Sequence, residues 1–358
     1  MSTAPAPGGT PANPRWFERL EERDLQPRVG RPPVCLYLET TNRCNLPCQT
    51  CPRTFASTEK PADLTFLQLK FLVDQIDDLQ VAVLHGIGEP TMNRELPGMV
   101  RYLVERGARV LFNSNGTLLR GSLGRQLVEA GLDENRVSLD AADAETFARV
   151  RGLPLFDRIL RNLRDFNALK REMRVERPRL SLWLVGMQET IESLPAFVEL
   201  AHDLEIPEVY LQRLVYFDDP HARWGVAQAE QSLHGALGER ESACLRAAEA
   251  RARELGVRLV ASGATTPEES LVPASRERPW SLCRRPWTLM YITANGNVLP
   301  CCIAPFVEHD YSALVLGNAF QTPLAEIFDG PRYQAFRQAL LGDTPERCCQ
   351  GCGVRWSL

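Results

Sequence analysis

The sequence predicts an α/β protein built on a parallel sheet, open or closed into a partial barrel, with a smaller cysteine-rich region after it. Three observations carry this. Short, almost continuously apolar segments alternate with amphipathic ones between residues 34 and 214, as parallel strands covered on both sides require. The eleven cysteines fall mainly into two groups, three at 44–51 and six between 283 and 352. A Pro/Ser/Thr/Glu-rich stretch separates the two halves. The expected organisation is a disordered lead (1–30), a barrel with a following helical region (31–260), a linker (261–280) and a cysteine-rich domain (281–358).

The expected strands are Val34–Glu39, Val81–Leu84, Arg109–Phe112, Arg136–Leu139, Leu180–Val185 and Val209–Leu214. Amphipathic stretches between them, Phe66–Leu79, Leu96–Arg106, Leu118–Ala130, Phe156–Arg171 and Leu194–Leu204, read as helices. Gly107 and Gly131 stand where helix-ending glycines stand. Strand–helix units in series argue for a parallel sheet. Beyond Pro220 the composition changes without a clear period. A helix is expected over Arg240–Leu255, with a possible strand at Val257–Val260. From Ser281 on the chain is Gly/Pro-punctuated and reads as a small domain that needs a staple other than a large core.

Composition excludes several classes. The chain has 358 residues, 44% hydrophobic, enough for a large core. The net charge is −4, and the basic residues, nearly all Arg, are scattered rather than gathered into a patch, so no nucleic-acid partner is expected. No apolar run reaches the roughly 18 residues that would mark a membrane span. Met1–Pro14 has no apolar signal-peptide core, so a cytoplasmic location is expected. Clustered cysteines then point to metal rather than disulfides.

Cys44, Cys48 and Cys51 follow the first strand with C-x3-C-x2-C spacing. A loop of this length can give a thiolate to three irons of a cubane and leave the fourth iron open, as a catalytic metal requires. A structural zinc or redox site is the competing reading. The spacing resembles the radical S-adenosylmethionine (SAM) superfamily, which implies a partial (β/α)6 parallel barrel. The resemblance also implies that SAM chelates the open iron and is cleaved reductively to a 5′-deoxyadenosyl radical, which takes a hydrogen atom from the substrate. Flavodoxin or ferredoxin is then the expected electron donor. Thr50 stands where the family commonly has an aromatic residue near the SAM adenine.

The next strand ends extend the likeness. His85-Gly86-Ile87-Gly88-Glu89-Pro90 resembles the family's GGEP motif. There the glycines let main chain approach the ligand, and the acidic side chain receives the SAM ammonium. Ser114-Asn115-Gly116-Thr117 resembles the family's strand end near the SAM ribose and carboxylate. Ser138-Leu139-Asp140-Ala141 resembles its SxDG pattern, and Ser138 and Asp140 share one strand face. Gln188 ends the fifth strand at another position implied to lie near SAM. Arg213 interrupts the apolar sixth strand, and a charge there needs a partner in the barrel, SAM or substrate. The five histidines lack ligand spacing.

In the last region, Asn295-Gly296-Asn297 predicts a hairpin between Thr288–Thr293 and Val298–Leu299. The hairpin brings Cys283 near Cys301, and Cys349 with Cys352 completes four thiolates. The arrangement resembles the SPASM and twitch auxiliary-cluster domains. It implies an auxiliary iron–sulfur cluster held by Cys283, Cys301, Cys349 and Cys352, one cluster fitting six cysteines better than two. Zinc on the same thiolates is the alternative, and Cys302 and Cys348 compete with their neighbours.

The expected activity is therefore oxidoreductase-like: net oxidation or rearrangement of a small molecule such as a sugar, aminocyclitol or other metabolite. Modification of a peptide or protein side chain is the alternative. The short lead before the first strand favours the small molecule, because peptide-modifying relatives often carry an N-terminal peptide-binding domain. A non-catalytic iron–sulfur or zinc scaffold is the third reading.

Overall fold

The computed structural model describes residues 20, 25–55, 58–216, 226–263, 266–273, 277–307, 311–350 and 352. The expected lead at 1–19 and 21–24, residues 217–225 with His221, and His309 lie outside these residues.

Seven parallel strands follow one another in space in chain order: β1 (Cys35–Leu38), β2 (Val81–Val83), β3 (Arg109–Ser114), β4 (Glu134–Ser138), β5 (Arg179–Gly186), β6 (Glu208–Arg213) and β7 (Arg258–Ala261). The possible strand at Val257–Val260 is thus β7, added parallel to β6. Between them run α1 (Pro52–Phe55), α2 (Phe66–Val73), α3 (Leu96–Glu105), α4 (Gly121–Glu129), α5 (Ala144–Arg151), α6 (Phe156–Met173), α7 (Leu194–Asp203) and α8 (Glu239–Leu255). Right-handed crossovers between sequential strands put the crossover helices on one face, where α2, α3, α4 and α6 pack in series. The other face is left to line a cavity.

Local chemistry sets the ends. Thr65 caps α2 in a capping box with Gln68. Gly107 and Gly131 both take φ +83° just past α3 and α4, a conformation costly for any residue with a Cβ. The strands carry fully buried aliphatics such as Leu36, Leu38, Val83, Val110 and Leu182, each contributing roughly 2 kcal/mol by burial. α5 was not expected: Asp143 caps it by accepting from the Thr146 amide, and Gly152 closes it at φ +81°.

The last region differs from the expectation of a small core of its own. The predicted hairpin forms from β8 (Leu289–Ile292) and β9 (Asn297–Leu299), and β10 (Gly317–Asn318) pairs with β9. However, β8 pairs parallel with β1, Cys35 opposite Leu289, so one ten-stranded sheet runs through the molecule. Leu289, Met290, Val298 and Leu299 are fully buried in the same core as β1. The physical reason is that β1 is apolar on both faces, and the equally apolar β8 pairs the backbone donors and acceptors of its otherwise open edge.

Further helices are α9 (Pro267–Leu271), α10 (Arg285–Thr288), α11 (Leu324–Phe328), α12 (Pro331–Leu341) and α13 (Arg347–Gln350). α9 lies in the expected linker and buries Leu271. Residues 25–30, expected as disordered lead, pack on this region. Leu25 is buried, the Trp287 indole donates to the Gln26 carbonyl (2.7 Å), and the Val29 amide donates to Asp329 (2.8 Å).

Candidate functional site

A cavity of about 910 Å3 opens at the C-terminal ends of the parallel strands, where α/β barrels place their ligands. Cys44, Cys48, Cys51, Gly86, Gly88, Glu89, Ser114, Asn115, Ser138 and Arg213 all line it, as does Thr50. Gln188 does not. Its side-chain amide donates to the Ser232 carbonyl (3.3 Å), and its neighbour Glu189 turns instead toward the cysteine loop, accepting from Gln49. Both residues lie past the end of β5 at Gly186, and neither lines the cavity.

The cysteine loop is braced from behind by main chain. The Glu89 amide donates to the Arg43 carbonyl (2.8 Å) and the Gln49 amide to the Val150 carbonyl (3.1 Å). A Cβ on Gly88 would lie 2.1 Å from the Thr41 carbonyl oxygen, so only glycine lets these loops press together. On Gly152 a Cβ would lie 2.6 Å from the Pro47 carbonyl oxygen.

Glu89 is buried and largely engaged by protein donors. One carboxylate oxygen accepts from the amide and hydroxyl of Thr91 and from the Ser114 hydroxyl (2.9 Å); the other accepts from the Asn115 amide (2.7 Å). Burial raises its pKa, and these donors oppose the shift. The Asn115 side chain is bonded to Asn45 (2.8 Å), with Cys44 Sγ 3.9 Å away. The motif residues at the ends of β2 and β3 thus form one knot around the cysteine loop, with the second Glu89 oxygen keeping acceptor capacity toward the cavity.

Asp140 has a structural partner. It takes φ +61°, accepts the Val185 amide (2.8 Å) and pairs with the Arg151 guanidinium (2.7 Å). Arg151 in turn donates to Cys48 Sγ (3.4 Å). Its pKa is raised: burial opposes the charge, but Asp140 and Cys48 outweigh it. Sequence reasoning missed Arg151, since it sits on an unpredicted helix and carries no motif. His85 is buried and lines the cavity. Its Nδ1 accepts the Asn113 amide (3.1 Å), and burial holds its pKa down at about 3, so the ring is neutral.

Four of the six C-terminal cysteines, Cys302, Cys283, Cys352 and Cys301, lie near enough to Arg285 to feel its charge, and Cys348 and Cys349 adjoin them. Cys302, Cys348 and Cys352 line the same cavity as Cys44, Cys48 and Cys51, whereas Cys283, Cys301 and Cys349 stand behind. Cys348 Sγ and Cys349 Sγ are 3.8 Å apart, so both members of that doublet stay within reach of a common centre. Burial pushes the Cys51 and Cys283 thiols up to about 11. Iron binding by such thiols must release protons.

Among the described residues no three Cys, His, Asp or Glu side chains are drawn to closed ligand spacing. The fit to iron–sulfur groups rests on the donors themselves: three thiols on one braced loop beside an open cavity, and a second group of thiols, four of them near a buried guanidinium that offsets an anionic centre. Among the described residues no helix is long and apolar enough to cross a membrane.

Comparison with known proteins agrees with this construction. The radical SAM superfamily profile matches residues 38–201, and an iron–sulfur cluster-binding domain profile, SPASM, matches residues 283–353. The chain is 30% identical over 204 residues to Fe-coproporphyrin III synthase of Methanosarcina barkeri, covering 56% of this chain but only about half, 49%, of that protein. It is 25% identical over 331 residues to the PqqA peptide cyclase of Granulibacter bethesdensis, covering 91% of this chain and 82% of the relative. The fold resembles Streptococcus suis SuiB bound to S-adenosylmethionine, with TM-score 0.63, 18% identity, and 85% of this chain and 68% of SuiB covered. The first domain brings with it a 4Fe–4S cluster and SAM, the second auxiliary iron–sulfur clusters. This chain belongs to the radical SAM superfamily and carries a SPASM domain at its C-terminal end.

Proposed function

We propose that this enzyme modifies a side chain of a peptide or protein. The observation that carries the reading is the likeness to a PqqA peptide cyclase along 91% of this chain, through both cysteine regions. Mycofactocin maturase MftC of Mycobacterium tuberculosis, 31% identical over 156 residues, has the same tendency, and SuiB has been solved with its precursor peptide SuiA. The small-molecule reading has a likeness of its own, to the Fe-coproporphyrin III synthase, but that match covers 56% of this chain and 49% of the relative, against 91% and 82% for the cyclase.

The bound cluster and SAM together supply a 5′-deoxyadenosyl radical. The chain's own residues hold, orient and exclude. Cys44, Cys48 and Cys51 hold the SAM-binding cluster, and Cys283, Cys301, Cys349 and Cys352, or their doublet partners Cys302 and Cys348, hold an auxiliary one. Gly86, Gly88, Ser114, Asn115 and Ser138 form the wall that SAM lies against, and Glu89 fixes that wall while keeping one oxygen for the SAM ammonium. Neutral His85 offers no positive charge to compete with SAM. Ligand pockets usually span roughly 300–1,000 Å3, so a cavity of about 910 Å3 has room for SAM and a substrate side chain.

The test is label transfer. Anaerobic holoenzyme with SAM and dithionite is given synthetic peptides with deuterated side chains, and separately deuterated sugars and aminocyclitols. The reading expects deuterium in 5′-deoxyadenosine from a peptide. Label arriving from a sugar or aminocyclitol, with none from any peptide, would overturn it.

A further inference from the structure

The cavity wall is cationic. Arg136, Arg151, Arg213, Arg285 and Arg347 line it against two carboxylates, Glu89 and Asp140. Both carboxylates are held by protein donors. Most of the arginines have a task in the protein: Arg136 pairs with Glu134 (2.9 Å) and lies over the Trp183 ring, Arg151 pairs with Asp140, and Arg285 sits among the thiols.

Arg213 is different. It ends β6 and is half-buried, and its backbone amide donates to Ser262 (3.1 Å). Among the described residues its guanidinium has no carboxylate partner. The groups whose charges reach it are Cys352, Tyr216 and Arg285, all on the side of the C-terminal cysteines. Those reaching Arg151 are Asp140, Cys48 and Cys44, on the side of the first cysteine loop. Arg213 ends β6, two strands along the sheet from β4, the last strand whose end is assigned to SAM, and five from β1. Trp183 on β5 and Tyr210 on β6, which stack on each other at 3.9 Å, line the same cavity. A desolvated guanidinium with five donors and no acceptor is unfavourable until an anion arrives, and its planar fork matches a carboxylate.

We propose that Arg213 binds a carboxylate carried by the substrate, so that the group entering the cavity is acidic. Of the three partners the sequence left open for Arg213, the barrel, SAM and substrate, this makes it a substrate-positioning residue. The inference deepens the peptide reading and rests on it only for the carrier of the carboxylate.

Three probes separate the possibilities by calorimetry on SAM-saturated, cluster-loaded enzyme: N-acetyl-Gly-Glu-Gly amide, its Gln counterpart, and glutarate. A charge-assisted bond is worth about 1.5–3 kcal/mol, which is roughly tenfold to a hundredfold in affinity. The Glu peptide is expected to bind at least about tenfold more tightly than the Gln peptide. Arg213→Gln should abolish the difference and Arg213→Lys should keep part of it, both with unchanged SAM affinity. Equal binding of the two peptides by the unaltered enzyme overturns the proposal and leaves the peptide reading standing. Glutarate binding lost in Arg213→Gln, with neither peptide bound, keeps the carboxylate site and removes the peptide. Loss of SAM affinity in both variants assigns the guanidinium to SAM and overturns the proposal. So does an altered auxiliary-cluster potential in Arg213→Gln with Glu–Gln discrimination intact. Failure of both glutarate and the Glu peptide to bind the unaltered enzyme also overturns it.

Discussion

Cys44, Cys48 and Cys51 come from one loop, whereas the other six clustered cysteines are gathered from three segments around 283, 301–302 and 348–352. The first loop is braced by main-chain bonds from β2 and α5 and by the bare Cα of Gly88. The second set depends on tertiary closure. Buried Arg337 on α12 donates to the Pro286 carbonyl (2.8 Å) and the Pro27 carbonyl (3.0 Å), tying together segments far apart in sequence. The contrast teaches that a local loop can fix three ligands and still leave one side open. A site closed on all sides needs distant segments, whose convergence must offset a larger loss of chain entropy. Both sets nonetheless present thiols to one cavity.

The contrast can be broken at either end. The largest effect is expected from Cys349→Ala, which should reduce substrate turnover to background while leaving uncoupled SAM cleavage to 5′-deoxyadenosine. Equal loss of both, measured by chromatography, would mean that the second set serves folding alone. Gly88→Ala should come next. Its Cβ would collide with main chain that cannot rotate away, at a cost of about 3 kcal/mol, visible as a lower Tm and lost iron at the first set. An unchanged Tm would show that the loops are not pressed together as described.

Arg151→Lys and Arg151→Gln probe the bond to Cys48. Hydrogen bonds and positive charge near cluster sulfurs raise the reduction potential. The Gln variant should therefore shift the first cluster to more negative potential in an EPR-monitored titration, the Lys variant less, and neither should move the auxiliary cluster.

The smallest effect is at Glu39, which lies between the two regions. It accepts the Ile87 amide (3.0 Å) from one side and the Ala294 amide (3.1 Å) from the other. Burial raises its pKa from 4.5 to about 7. The folded state then holds a proton that the unfolded state has lost, so this group's stabilisation is present below pH 4.5 and disappears as pH rises through about 7. Glu39→Gln should flatten the fall in Tm across that window. An identical slope in both proteins would remove Glu39 from the account.

Much of this was legible in the sequence. The six core strands and the hairpin lie where apolar runs and Asn295-Gly296-Asn297 place them, because buried strands and tight turns leave strong local signals. The cysteine loop and the Gly86–Pro90 motif were legible for the same reason. What depended on long-range packing was not. Nothing local tells that β8 joins β1, that residues 25–30 lie against α12, or that Arg151 reaches Cys48 from α5. Gln188 shows the limit at one position: the strand ends at Gly186, and the turn beyond it carries Gln188 away from the cavity to the Ser232 carbonyl.

The most direct measurement is SAM cleavage by the whole protein. Cluster-loaded enzyme under anaerobic conditions, given SAM and dithionite, is expected to form 5′-deoxyadenosine and methionine, and Cys48→Ala is expected to form neither. Fully iron-loaded protein that yields no 5′-deoxyadenosine, or a Cys48→Ala variant that yields as much as the unaltered enzyme, would contradict the assignment of the Cys44–Cys51 loop as the SAM-cleaving site.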